Sequence, residues 1–297
     1  MEVHQLRYFC AVAETGSFTR AAGREQVAQP SLSQQIMKLE VELGVRLFDR
    51  LGRAVRLTDM GQVFLPRARA ILSEMRAAKE EVAEKQSTVS GPVCIGVIPT
   101  IAPYFLPARI ALFSRQYPDA SITVVEDVTV HLMDQLRAGL VDLAIIALPA
   151  RGHDLDSFPL LTERLFAILP KGHRLARRRT LRMKELREEP FLLLRDDHCF
   201  RDTSIEVCKR ARLNPQIVFE SGQFSSIMGM VGAGMGISIV PEMAVEPKAD
   251  CSSVLIADER ASRTIGVAAV KGHFLSRVPR AFLEHLRACS ESIPKTA

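Results

Sequence analysis

The period of the apolar residues changes once along the chain, between Gln86 and Val93, and a single fold cannot satisfy both halves. Upstream, apolar residues recur three and four positions apart, the spacing of a buried helix face. Downstream, short aliphatic runs alternate with helical stretches, the order of a sheet covered by helices. Gln86 to Pro92 (QSTVSGP) joins them with the small and helix-breaking residues of a hinge. The chain therefore reads as a helical head (1–58), a linker helix with its hinge (59–90) and a larger α/β region (91–297).

Within the head, Gln29 to Glu40 reads QPSLSQQIMKLE. Pro30 suits a first helical turn, where its missing N–H costs nothing. Leu32, Ile36 and Leu39 share one face. Ser31, Ser33, Gln34, Gln35 and Lys38 lie elsewhere on the cylinder, and such short or amide-bearing groups with one cation suit a DNA major groove. Gly44 stops the helix. Two shorter helices precede it, one carrying Leu6, Phe9 and Val12, the other carrying Ala21 and Ala22, small enough to let a helix cross closely. After it, LGRAVRLT forms a two-stranded ribbon turning at Gly52. Arg50, Arg53 and Arg56 decorate this wing, where cations position a protein on phosphates. The plainer alternative is a helical domain with a basic loop. Thr58 to Gln86 is one long helix, and its apolar stripe (Phe64, Leu65, Ala68, Ile71, Leu72, Met75) calls for a second copy. A dimer with two reading heads suits a two-fold DNA site.

Beyond Val93, Asp142 to Leu148 (DLAIIAL) is apolar throughout, as a parallel strand covered on both faces requires. A helix over Tyr104–Gln116 has Pro107 in its first turn, and Leu165–Leu169 is a short strand. The length suits two lobes with a cleft, where ligands sit beyond the carboxyl ends of strands. Thr100 follows the first strand and Thr129 the second, so both can face that cleft; ordinary capping explains them as well. Gly232, Gly234 and Gly236 read as a helix stop and tight turn, not as a dinucleotide fingerprint.

The 297 residues carry a formal net charge of +5, which permits a nucleic-acid partner without demanding one. No apolar run is long enough to cross a membrane and no signal peptide opens the chain, so a cytoplasmic protein is expected. Six cysteines are then thiols at rest. No CxxC and no zinc spacing occurs, so neither metal nor cofactor is expected.

One cysteine pair is close: RDDHCFRDTSIEVCKRA, with Cys199 and Cys208. Thr203 and Glu206 form a capping box, which starts a helix near Ser204. Cys208 then faces inward. Cys199 stands before the helix N-terminus between His198 and Arg201, surroundings that favour a thiolate. Thiolates react with peroxide to give a sulfenic acid, which condenses with a second thiol. Nine helical positions span about 13 Å, whereas a disulfide needs α-carbons within about 7 Å. Any bond between the two therefore requires the helix to unwind, the physical form of a switch. A core cysteine beside an incidental thiol is the plainer alternative, and the two residues alone leave it open.

TGSFTRAA, QPSLSQQIMKLEVELGVRLFDR and LTDMG resemble the winged helix-turn-helix of LysR-type transcriptional regulators. The likeness runs through the linker helix into a two-lobed, periplasmic-binding-protein-like effector domain, with crossovers near 162 and 264. SGPVCIGVIPT and DDHCFRD with Cys208 resemble the peroxide-sensing members. The resemblance implies a peroxidatic role for Cys199 and a resolving one for Cys208. It implies that Thr100, Thr129, His198 and Asp202 surround peroxide or relay its proton, and that Arg263, in SRTIG, stabilises the thiolate. Ser31, Ser33, Gln34 and Lys38 would touch DNA from the helix, and Arg50, Arg53 and Arg56 from the wing. It further implies promoter DNA, RNA polymerase, self-association as dimer and tetramer, hydrogen peroxide as effector, a cellular thiol reductant, and activation of antioxidant genes. Arg195, Asp197 and Gly23-Arg24-Glu25 depart from the pattern.

Two alternatives remain at this point. A regulator of the same family could take a small organic effector in the cleft, with structural cysteines. A thiol peroxidase could use the same pair, but it would leave the head and linker helix unexplained.

Overall fold

The computed structural model describes residues 1–51, 54–83, 89–150, 152–245, 250–272 and 275–291. In chain order the elements are α1 (Val3–Thr15), α2 (Phe18–Arg24), α3 (Gln29–Leu43), β1 (Phe48–Leu51), β2 (Ala54–Leu57), α4 (Asp59–Ala83), β3 (Gly91–Val97), α5 (Ala102–Gln116), β4 (Ala120–Glu126), α6 (Thr129–Arg137), β5 (Leu143–Leu148) and β6 (Leu155–Pro170). They continue with β7 (Thr180–Leu181), β8 (Pro190–Leu194), α7 (Cys199–Arg210), β9 (Gln216–Ser221), α8 (Phe224–Gly232), β10 (Ser238–Pro241), β11 (Cys251–Ile256), β12 (Ser262–Val270) and α9 (Arg277–Glu291). Contacts divide the chain into two compact units. One is built on residues 1–88, with Asp134–Asp142 and Gly272–Arg277 grouped with it; the other holds the rest.

In the head, Leu32, Ile36 and Leu39 of α3 are fully buried, as their shared face requires. Ala21 and Ala22 are buried beneath them. Phe9 anchors the core, its ring 5.2 Å from Phe48 and 5.3 Å from Phe64, spacings at which aromatic pairs attract. Gly44 ends α3 in the left-handed region, at φ 70°. β1 and β2 pair antiparallel as the wing; Gly52 and Arg53 lie outside the described residues. Thr58 caps α4 by accepting a hydrogen bond from Gly61 N at 3.0 Å. A side chain at Gly61 would put its Cβ 2.1 Å from the Leu47 carbonyl oxygen. Only glycine lets α4 lie that close, which gives LTDMG its physical reason.

In the larger region β4, β3 and β5 are parallel neighbours. β5 then pairs antiparallel with β12. The sheet is therefore mixed, and the all-parallel expectation for Asp142–Leu148 is corrected. β6 is a single strand of 16 residues, far longer than the expected Leu165–Leu169. Pro159 and the charged Glu163 and Arg164 hide it from any apolar pattern, and a register shift near Gly266 absorbs the proline. Up to Arg164, β6 pairs with β12; from Leu165 it pairs with β10 and β11. It thus passes from one lobe's sheet to the other's beside positions 162 and 264, where the Thr162 and Thr264 hydroxyls meet at 2.9 Å.

Other expectations change as well. α5 starts at Ala102 with Pro103 in its first turn, so Pro107 lies inside the helix. β11 was not foreseen. Gly234 supplies the expected turn at φ 83°, and at Gly236 a Cβ would stand 2.4 Å from the Pro190 carbonyl oxygen. The second lobe closes around Leu165, Phe191, Phe200, Cys208 and Val231.

Candidate functional site

The site forms where α7 begins. α7 starts at Cys199 with His198 as its N-cap, five positions earlier than the Thr203–Glu206 pattern predicts. Thr203 does not cap: its hydroxyl donates to the Cys199 carbonyl at 3.4 Å, inside the helix. Asp202 is not a cap either; it is exposed in the first turn. Cys199 is half-buried at the helix N-terminus, and Cys208 is fully buried two and a half turns later. Neither is in a disulfide.

Three elements bring polar groups to Cys199. The Thr129 hydroxyl, at the start of α6, acts on its sulfur, yet no aligned hydrogen bond satisfies that buried oxygen. From β12, Arg263 carries its positive charge to the same thiol. Its Nη1 donates to the Thr100 hydroxyl and its Nη2 to the Thr100 carbonyl, both at 3.0 Å. Its Nε donates to Glu163 at 2.6 Å. The guanidinium lies 5.0 Å from the centre of the Phe200 ring, within cation–π range. Thr100 accepts from Arg263 and so keeps its own O–H to donate. His198 is buried, with Nε2 3.7 Å from Asp197.

The electrostatics around Cys199 pull in opposite directions. Burial pushes the Cys199 thiol above its ordinary value, the Thr129 hydroxyl and then Arg263 pull it back, and Asp202 pushes it further up. Arg201, expected to assist, is engaged elsewhere: its Nε meets Asp196 at 2.6 Å, and it also binds Glu220. Its charge is already offset. Burial likewise pushes the Cys208 thiol up to about 12.

The structure therefore gathers Cys199, Thr100, Thr129, His198 and Arg263, and leaves Asp202 on the exposed side acting only through its charge. Sequence reasoning missed Glu163 and Phe200. Phe200 adjoins Cys199 and could have been noticed; Glu163 gives only the signal of an acid inside an apolar strand. A cavity of about 560 Å³ also reaches Thr100, walled by Tyr104, Pro107, Ile110, Glu126 and Gln223. Among the described residues no cluster could hold a metal ion, and no helix is long and apolar enough to cross a membrane.

Residues 3–62 match the model of the bacterial regulatory helix-turn-helix proteins of the LysR family, and residues 86–290 that of the LysR substrate binding domain. The chain belongs to the LysR family. It is a DNA-binding transcriptional regulator and not an enzyme. Among LysR relatives, the hydrogen peroxide-inducible genes activator of Escherichia coli is 36% identical over 248 residues, covering 84% of this chain and 81% of its own. An uncharacterized HTH-type regulator, YybE of Bacillus subtilis, is 33% identical over 286 residues, covering 96% and 98%. Full-length OxyR from Pseudomonas aeruginosa, carrying a C199D substitution, superposes with a TM-score of 0.83 at 31% identity, covering 98% of this chain and 95% of that one.

In this LysR head, Ser31, Gln34 and Lys38 are exposed on α3 and Ser33 is half-buried. Gln35 is drawn inward, accepting from Gln5 Nε2 at 3.1 Å. Arg56 is exposed on β2, and Arg50 lies in β1.

Proposed function

We propose that this LysR regulator is a cytoplasmic hydrogen-peroxide sensor that activates antioxidant genes through promoter DNA and RNA polymerase, as a dimer and tetramer. Ser31, Ser33, Gln34 and Lys38 read or position the DNA from α3, joined by Arg50 and Arg56 of the wing strands and by Arg53, which falls between them in the sequence. One observation carries the sensing: Cys199 opens α7 beside the unsatisfied Thr129 hydroxyl, with Thr100 held by Arg263 close by. Two hydroxyls beside a thiol can both donate to and accept from a small molecule such as peroxide. The family relationship to peroxide-inducible activators supports the same reading.

The Cys199 sulfur, on losing its proton, attacks one peroxide oxygen. The O–O bond breaks, and the leaving hydroxide takes a proton to become water, with His198 and Thr100 as hydrogen-bond donors and Asp202 as an anionic neighbour. The product is a sulfenic acid. Cys208 then attacks that sulfur, forming the disulfide and releasing a second water. In α7 the two residues stand about 13 Å apart along the axis, beyond the reach of a disulfide. The bond forms only when α7 unwinds, and refolds when a cellular thiol reduces it.

The deciding experiment is a peptide mass map of reduced protein after a near-stoichiometric dose of peroxide. A Cys199–Cys208 cross-link is the expected result. If both stay reduced, or all six cysteines oxidise alike, the sensor reading is lost. The cavity beside Thr100 then favours a small organic effector in the same regulator.

A further inference from the structure

Glu163 stands on β6 directly opposite Arg263 on β12. One carboxylate oxygen takes the Arg263 Nε at 2.6 Å, and the other takes the Met243 backbone N–H at 2.9 Å. Glu163 is 5% exposed and Arg263 4%. The remaining guanidinium nitrogens are held by Thr100. The cation that acts on Cys199 is therefore bound from behind by an anion that the peroxide chemistry never touches. Opposite charges in contact act at a distance as a dipole, so much of the field of each is cancelled.

We propose that Glu163 is a positioning residue that restrains Cys199: it holds the Arg263 guanidinium and offsets part of its charge, so the cysteine is less reactive than an unpaired arginine would make it. This rests on the reading of Cys199 as the reactive thiol. The other charged and titratable groups around Cys199 do not take over the role of Arg263. Asp202 of α7 is anionic. His198 has Asp197 3.7 Å from its ring. Arg201 is bound by Asp196 and Glu220. Thr129 of α6 is uncharged. Sensitivity is then set by how tightly β6 and β12 keep the Glu163–Arg263 pair, and any rearrangement of these strands that parts the pair would arm the thiol.

The test is the rate of Cys199 alkylation by iodoacetamide in the reduced protein, read by mass from about pH 6 to about pH 10. Glu163→Gln keeps the shape and removes the charge. Alkylation at pH 7 should rise about tenfold, the equivalent of a midpoint one unit lower. Glu163→Asp keeps the charge and should stay within about threefold of the parent. An unchanged or slower rate in the glutamine variant, or equal shifts in both variants, would overturn the restraint. Should Glu163→Gln fail to fold, Arg263→Gln is compared with the double variant Glu163→Gln with Arg263→Gln, which leaves no buried ion unpaired. The double variant should alkylate at least about threefold faster than Arg263→Gln alone; equal rates would overturn the restraint. Peroxide mapping separates the two claims. A normal cross-link with unmoved alkylation sinks only the restraint, whereas an absent cross-link sinks the sensor and leaves the alkylation result standing.

Discussion

Cys199 is a poor nucleophile until its proton leaves. Burial holds its thiol above the ordinary value, which favours the neutral form at pH 7. Peroxide oxidation of Cys199 should therefore climb about tenfold per pH unit between about pH 7 and 9, measured by stopped-flow or by trapping the sulfenic acid. A rate flat across that range would mean that the thiolate is already formed. Buried thiols also tie stability to alkaline pH. Cys10 is pushed up to about 11 and Cys208 to about 12, from an ordinary 9.0. An unfolded chain would ionise both near that ordinary value while the fold keeps them neutral. Their contribution is complete below pH 9 and is lost as the pH rises through the folded values. The thermal midpoint should fall above pH 9, and Cys208→Ala should flatten that fall at a cost of about 1 kcal/mol. At this scale the sequence displays the cysteines well, because a helix start and an apolar face are local. It hides Glu163, whose partner lies 100 residues away.

α7 is the element that must give way. Its first turn holds Cys199, and its buried face holds Phe200, Ser204, Val207 and Cys208. Thr203 weakens it, being β-branched and bonding back to the Cys199 carbonyl. Thr203→Ala should firm the helix by about 0.5 kcal/mol and slow the resolving step about twofold, leaving the first oxidation unchanged. A rise in the lifetime of the sulfenic acid checks it; equal slowing of both steps would place the effect at Cys199 and not in the helix. The misplacement of this helix start has a simple cause. Thr203 and Glu206 carry a cap signature, but Phe200 packs into the lobe core and meets Phe224 at 5.3 Å, and burial of that ring pulls the preceding turn into the helix. Tertiary packing overrides local propensity here, as it does along β6.

At the scale of the whole molecule, the mild charge of +5 means that DNA affinity depends on where cations stand. Arg56→Ala should weaken binding to every duplex and reduce the salt slope by about 0.9 per head. Gln34→Ala should cost specific sites more than random DNA; competitive titration against both separates them, and equal losses would remove Gln34 from base reading. The order of head, linker and two-lobed region is legible in the sequence because it rests on a change of period. The strand order is not, since β5 meets β12 across the whole second lobe. That pairing has a consequence during synthesis. Leu148 has to wait for Thr264 to leave the ribosome before its strand acquires that neighbour, and β6 waits for the same strand. Until then two hydrogen-bonding edges stand open, and such long-range closure is slow. A truncation just before Ser262 would leave this nascent state permanent, so a nonsense mutation there should yield insoluble protein and not a half-active regulator.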